Sequence, residues 1–218
     1  VIFSEYRADF VVAADGALDA TETITAKFPL WRHGLFRYWD VANPNDPHIR
    51  QPPDITEITL GGEPVPYDLF WEDDRRFRVA KIGDPDRYLD EGTHVFTIRY
   101  RVEGVLDPGE TGAAKTFPTS EGRPSDAPSV FYWNVIPPGW NNPITDAHIS
   151  VRLPGPVTVA QCAVGTGSGS PCGDVRINGE TVTVSAHGLF PRTPLSVRIG
   201  VDVPTPPRAT VPWTQRLD

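Results

Sequence analysis

The stretch Leu18-Asp19-Ala20-Thr21-Glu22-Thr23-Ile24-Thr25-Ala26-Lys27-Phe28 decides the fold class. Leu18, Ala20, Ile24, Ala26 and Phe28 fall at alternate positions, with Asp19, Thr21, Thr23, Thr25 and Lys27 between them. A period of two places the apolar set on one face of a pleated chain and the polar set on the other, as in a half-buried β-strand. Ala and Glu content alone would point to helix; the threonine density and the strict alternation decide for strand. Asp15-Gly16 supplies the hairpin turn from a first strand near Tyr6–Ala13. Glu22 breaks the pattern, because it falls on the apolar face. Arg37, in Leu35-Phe36-Arg37-Tyr38-Trp39, is the cation in an equally apolar setting, and its planar fork can bond both carboxylate oxygens. An unpaired buried carboxylate is costly, so the sequence predicts a partly buried Glu22–Arg37 pair with a structural role.

Working outward, the same signal recurs. Short strands are expected at Ile55–Leu60, Val65–Phe70 and Phe77–Ile82, with Gly61-Gly62 between the first two. From Thr93 to Glu103, Phe96, Ile98, Tyr100 and Val102 alternate with Thr97, Arg99, Arg101 and Glu103, an antiparallel strand with one wet side. Ala147, Ile149, Val151 and Leu153 alternate again. Val157 to Ala163 forms another strand, and Asn178-Gly179 joins Val175–Ile177 to Thr181–Val184 as a two-residue hairpin. Leu195, Val197, Ile199, Val201 and Val203 close the series. No helix beyond a turn or two is indicated. The reading is an all-β, antiparallel β-sandwich of two lobes, residues 1–106 and 129–203. The polar segment 107–128 is expected to be a loop or linker with little regular structure. Residues 204–218, with Pro204-Thr205-Pro206-Pro207-Arg208 and then Trp213 and Arg216, read as an extended Pro-rich spacer toward a missing membrane segment.

Composition narrows the function classes. Proline is 24 of 218 residues, which suits short strands joined by rigid turns. The net charge of −8 argues against nucleic acid and against adsorption to an anionic membrane surface, both of which need clustered Lys and Arg. No apolar run approaches the roughly 20 residues that span a bilayer. No signal peptide is present, and methionine is absent even at position 1, so a processed piece of a longer product is expected.

The span Tyr132-Trp133-Asn134-Val135-Ile136-Pro137-Pro138-Gly139-Trp140-Asn141-Asn142-Pro143-Ile144 concentrates aromatics, amides and prolines. Its prolines forbid one regular element, so a strand should run into a rigid aromatic corner. Together with Asp15 to Glu22, Gly34-Leu35-Phe36-Arg37, Ile82-Gly83-Asp84 and His94 to Tyr100, this span resembles the N-terminal domain of bacterial predicted membrane proteins, the domain-of-unknown-function 2207 or YciQ-like family. The resemblance runs from about Phe3 to Val203. It implies an extracytoplasmic β domain tethered to the bacterial plasma membrane through a segment absent from this chain. The family commonly carries an acidic residue shortly before the Tyr-Trp-Asn, where this chain has Ser129-Val130-Phe131.

Several constellations bear on chemistry. Cys162 and Cys172 flank Gly165-Thr166-Gly167-Ser168-Gly169-Ser170-Pro171, and the outward-facing compartment favours a disulfide over free thiols or half a metal site. Asp84, Asp86 and Asp90, with Glu91, are calcium candidates that an acidic turn explains as well. The histidines His33, His48, His94, His148 and His187 lie on separate elements. No Gly-x-Ser-x-Gly or His-Glu-x-x-His pattern occurs, so no catalytic residue is nominated and no cofactor is expected. Tyr132, Trp133, Asn134 and Trp140 could form a sugar-stacking surface with amide hydrogen bonds, against a packing role for the same rings. The expected function is a binding or interaction module at the cell envelope with a protein or glycan partner; a hydrolase acting on envelope polysaccharide or peptide is the alternative.

Overall fold

The computed structural model describes residues 1–43, 45–122 and 127–212; Trp213 and Arg216 lie outside the described residues. Sixteen strands and no helix are found among these residues. In chain order they are β1 (Ile2–Val12), β2 (Leu18–Phe28), β3 (Leu35–Asp40), β4 (Asp54–Leu60), β5 (Glu63–Pro64), β6 (Tyr67–Glu72), β7 (Phe77–Ile82) and β8 (Gly92–Val102). There follow β9 (Leu106–Pro108), β10 (Thr119–Gly122), β11 (Ser129–Ile136), β12 (Ile144–Arg152), β13 (Val157–Val164), β14 (Asp174–Asn178), β15 (Thr181–Leu189) and β16 (Leu195–Val201).

The alternation in β2 is realised residue by residue: Leu18, Ala20, Glu22, Ile24, Ala26 and Phe28 are buried, and their neighbours face outward. β2 lies near the middle of an eight-stranded sheet in the order β14-β15-β12-β1-β2-β8-β4-β5. A five-stranded sheet, β10-β13-β16-β11-β9, covers its apolar face, with Phe10 of β1 meeting Phe131 of β11 edge to face at 6.5 Å. A three-stranded sheet, β3-β7-β6, closes on the same core through Trp39, whose ring meets Tyr100 of β8 at 5.3 Å. The fold is thus an all-β sandwich, antiparallel among the described residues except for one pair: β1 and β12 run parallel, from Phe3 opposite Ile144 to Val11 opposite Arg152.

That parallel pair corrects the expected domain boundary. β12, β14 and β15 come from the second half of the chain, yet they complete the same sheet as β1 and β2, so residues 107–128 do not separate two lobes. Nor is this segment free of structure. β9 pairs with β11, and β10 pairs with β13. Arg198 of β16 holds the intervening loop down by donating to the carbonyls of Gly109 and Thr111, each at 2.7 Å. The Pro-rich tail also differs from a free spacer as far as residue 212. Arg208 pairs with the buried Asp107, and the Val211 amide donates to the His48 carbonyl at 2.8 Å. Cys162 on β13 and Cys172 are joined as a disulfide with Cα atoms 6.0 Å apart.

Candidate functional site

The site is built over Glu22 and Arg37. Arg37 Nε and Nη2 each donate to one oxygen of Glu22 at 2.7 Å, with Glu22 0% and Arg37 2% exposed. The remaining capacity of the pair is also used. Tyr100 donates its hydroxyl to Glu22 Oε1 at 2.5 Å, and Arg37 Nη1 donates to the Tyr38 carbonyl. The guanidinium carbon lies 4.7 Å from the Trp39 ring and 5.1 Å from the Trp140 ring, so the cation packs over two indole rings. Burial opposes the charge on Arg37, but Glu22's charge and hydrogen bonds more than offset it and the guanidinium pKa rises. Burial, and then Glu22's negative charge, push the Tyr6 and Tyr100 phenols well above their usual range, so both stay neutral donors. This arrangement ties β3 of the small sheet to β2 of the large one.

Above the pair lies a groove of about 240 Å³ between β3 and β11. Tyr132, Trp133 and Asn134 of β11 form one wall, and Tyr38, Asp40 and Arg76 belong to the other side. Asp40 and Arg76 form a two-pronged pair, with Arg76 Nη2 3.0 Å and Nε 3.3 Å from Asp40 oxygens. That hydrogen bonding raises the Arg76 pKa. Asn134 is exposed and accepts from Ser196 Oγ at 2.7 Å, which orients its amide; Lys115 donates to the Tyr132 hydroxyl at 2.8 Å. Tyr132 and Trp133 are each 8% exposed, so little of either ring is open to the groove.

Trp140 does not join them. It is 3% exposed, its Nε1 donates to the Phe36 carbonyl at 2.9 Å, and its ring packs against Phe3 and Tyr6. Its part is to pack over the Arg37 guanidinium from within the core. The proline-rich corner turns the chain back there, so Trp140 covers the pair while Trp133 stays with Phe131 on β11, rings stacked at 5.9 Å.

The calcium candidates form no cluster. Asp84 Oδ1 accepts the Asp86 amide at 2.9 Å in a tight turn, and the Asp90 carbonyl accepts from His94. Among the described residues no three His, Cys, Asp or Glu side chains gather as a metal site. His148 and His187 do approach, with rings 6.3 Å apart, and His187 Nδ1 lies 2.6 Å from Asp146 on the outer face of the large sheet.

Residues outside the candidate set complete the surface. Phe36 and Tyr38 point outward from β3 with their rings stacked at 6.2 Å. Their signal was the alternation of Phe36, Tyr38 and Asp40 against Leu35, Arg37 and Trp39, a period-two pattern whose second face is aromatic rather than polar.

The protein is therefore an all-β sandwich with shallow surface grooves around a buried, fully paired ion pair. The chain belongs to the family described as the N-terminal domain of predicted membrane proteins, DUF2207, whose model matches residues 3–201. No curated protein sequence matches it. Among solved structures it is similar to yeast LTA4 hydrolase in complex with bestatin, at 10% identity and a TM-score of 0.54, over 92% of this chain and 28% of that one. The native yeast enzyme gives 10% identity and 0.51 over 90% and 28%. An M1 zinc metallopeptidase from Deinococcus radiodurans gives 16% identity and 0.43 over 91% of this chain and 42% of that one. The chain thus spans less than half the length of these proteins, and the likeness to the yeast enzyme is one of fold. No helix among the described residues is long and apolar enough to cross a membrane.

Proposed function

We propose that this domain is the extracytoplasmic recognition module of a membrane-anchored protein, and that it binds an envelope component through the grooves along β3 and β11. The observation that carries the reading is the placement of Phe36, Tyr38, Asn134 and the Asp40–Arg76 pair on the open side of strands fixed from beneath by Glu22 and Arg37. Adaptable polar groups and aromatic rings on a rigid base are what recognition of a polar partner requires. The disulfide supports an oxidising compartment, and the family supports the membrane tether. A hydrolytic reading gains no support from the grooves. Burial pushes the Asp107 carboxyl upward, but this group is locked between Asn43 and Arg208 beneath the tail and lines none of the grooves described.

Two measurements test the proposal. The purified domain should sediment with isolated envelope fragments, and Tyr38→Ala with Asn134→Ala should remove most of that binding while leaving the thermal unfolding midpoint in place. In the full-length protein, a cysteine placed at Asn178, the exposed last residue of β14, should react with a membrane-impermeant maleimide in intact cells. Labelling only after lysis would overturn the compartment, and unchanged sedimentation of the double variant would overturn the site.

A further inference from the structure

The groove over the ion pair is one of three that run together along β3. A second, of about 380 Å³, shares Tyr38 with it and adds Phe36 and Arg32. A third, of about 340 Å³, shares Arg32 and Phe36 with the second and ends on Trp31 and Lys81. Aromatic rings therefore recur along a row of adjoining grooves, from Tyr38 through Phe36 to Trp31.

The Trp31 end is held in place. Trp31 is 72% exposed, so at least one broad face of its indole is open, and its backbone sits at φ 66, a conformation few non-glycine residues adopt. Tyr88 meets Trp31 edge to face at 5.2 Å, and His33 lies against Tyr88 at 4.3 Å. The Leu89 amide donates to the Arg32 carbonyl at 2.7 Å, and His33 Nδ1 reaches the carbonyls of Asp84 and Arg87. Gly34 and Gly83 let the two segments touch, since a Cβ on Gly34 would collide with the Ile82 carbonyl at the end of β7 and one on Gly83 with the His33 carbonyl. An exposed tryptophan on a braced, strained turn is pre-organised, which lowers the entropy lost on binding. Arg32 and Lys81 line the track, and Asp40, the carboxylate among its lining residues, is paired with Arg76. Two further carboxylates of β6 stand close by: Asp68 is opposite Lys81, and the charge of Glu72 acts on the Tyr38 phenol.

We propose that the track binds a saccharide chain bearing carboxylates. Phe36 and Trp31 stack on the C–H faces of sugar rings, Tyr38 adds a ring edge and hydroxyl, and Arg32 and Lys81 take the carboxylates. Aromatic faces carry partial negative charge and attract polarised C–H groups, while guanidinium and ammonium groups bind carboxylates by charge-assisted hydrogen bonds. Concave grooves favour a chain over a flat protein surface. Leu30, 55% exposed beside Trp31, is the residue a protein partner would cover instead. This inference rests on the recognition role proposed above and names its ligand class.

The test is calorimetric titration of the 218-residue chain with tetragalacturonate, an acidic tetrasaccharide, and with chitotetraose, a neutral one of equal length. Saturable binding of the acidic probe is expected, weakened at least about tenfold by Trp31→Ala, by Phe36→Ala or by Arg32→Ala with Lys81→Ala. Rising salt should weaken it, and the neutral probe should bind at least about tenfold less well. Absence of saturable binding, equal binding of both probes, or binding unchanged in the Trp31 and Phe36 variants would each overturn the proposal. A Tyr38-dependent attachment to envelope fragments that Leu30→Ala abolishes, with no response to the acidic probe, would replace the saccharide by a protein and leave the recognition module standing. Loss of both readouts would overturn the two proposals together.

Discussion

Two arginine–carboxylate pairs sit at β3, three residues apart, and they do different things. Arg37 and Glu22 are 2% and 0% exposed in their side chains, whereas Arg76 and Asp40 are 41% and 27% exposed. The chemistry and the two-pronged geometry are alike. What differs is the medium. In the buried pair every lost hydrogen bond leaves a charge that water cannot reach, so the pair dictates how the small sheet meets the large one. In the exposed pair water can substitute for either partner, so the contact contributes little to stability and stays free to rearrange around a ligand. Alternation along β3 sends residue 37 inward and residue 40 outward, which is the whole structural origin of the difference.

The largest effect should come from Glu22→Gln. It leaves Arg37 buried without its counter-charge and is expected to destabilise the domain by about 3–5 kcal/mol in denaturant titration. Replacing both partners by apolar residues of similar size and removing the hydroxyl they would strand, Glu22→Leu with Arg37→Met and Tyr100→Phe, should recover most of that loss; a triple variant as unstable as the single one would break the account of the buried pair. Alkaline pH should report the same cluster. The folded-state pKa values of Tyr6 and Tyr100 are raised above their ordinary 10.0, so the unfolded chain releases these protons first. Their contribution is fully present below pH 10.0 and is lost as pH rises from there through the folded values, by up to about 1.4 kcal/mol per pH unit for each phenol. Tyr100→Phe should remove one phenol's share of that slope.

Cys162→Ser with Cys172→Ser gives a scale for a restraint unrelated to charge, and should cost about 2–3 kcal/mol if closure of so short a loop acts through the unfolded chain. Trp140→Phe keeps a ring against Arg37 but orphans the Phe36 carbonyl, and a loss of about 1–3 kcal/mol is expected. The smallest effect belongs to Asp40→Ala, at most about 1 kcal/mol and weaker in high salt. A loss as large as that of Glu22→Gln would erase the contrast between the two pairs.

The amino-acid sequence by itself determined the long alternating strands, the inward position of Glu22 and the cation suited to meet it, because period-two alternation and the chemistry of a buried carboxylate are local properties; the short strands β9 and β10, which carry no such alternation, it did not. Tertiary structure alone decided that β1 lies beside β12, since a parallel pairing across so long a stretch of chain leaves no turn signal between its partners. The same holds for Trp140, which reads like Trp133 in sequence yet faces Arg37 from beyond the proline corner. It holds as well for the grooves along β3. Residues such as Trp31, Tyr88 and Lys81 come from different loops and strands, and only the closing of three sheets on one core sets them side by side.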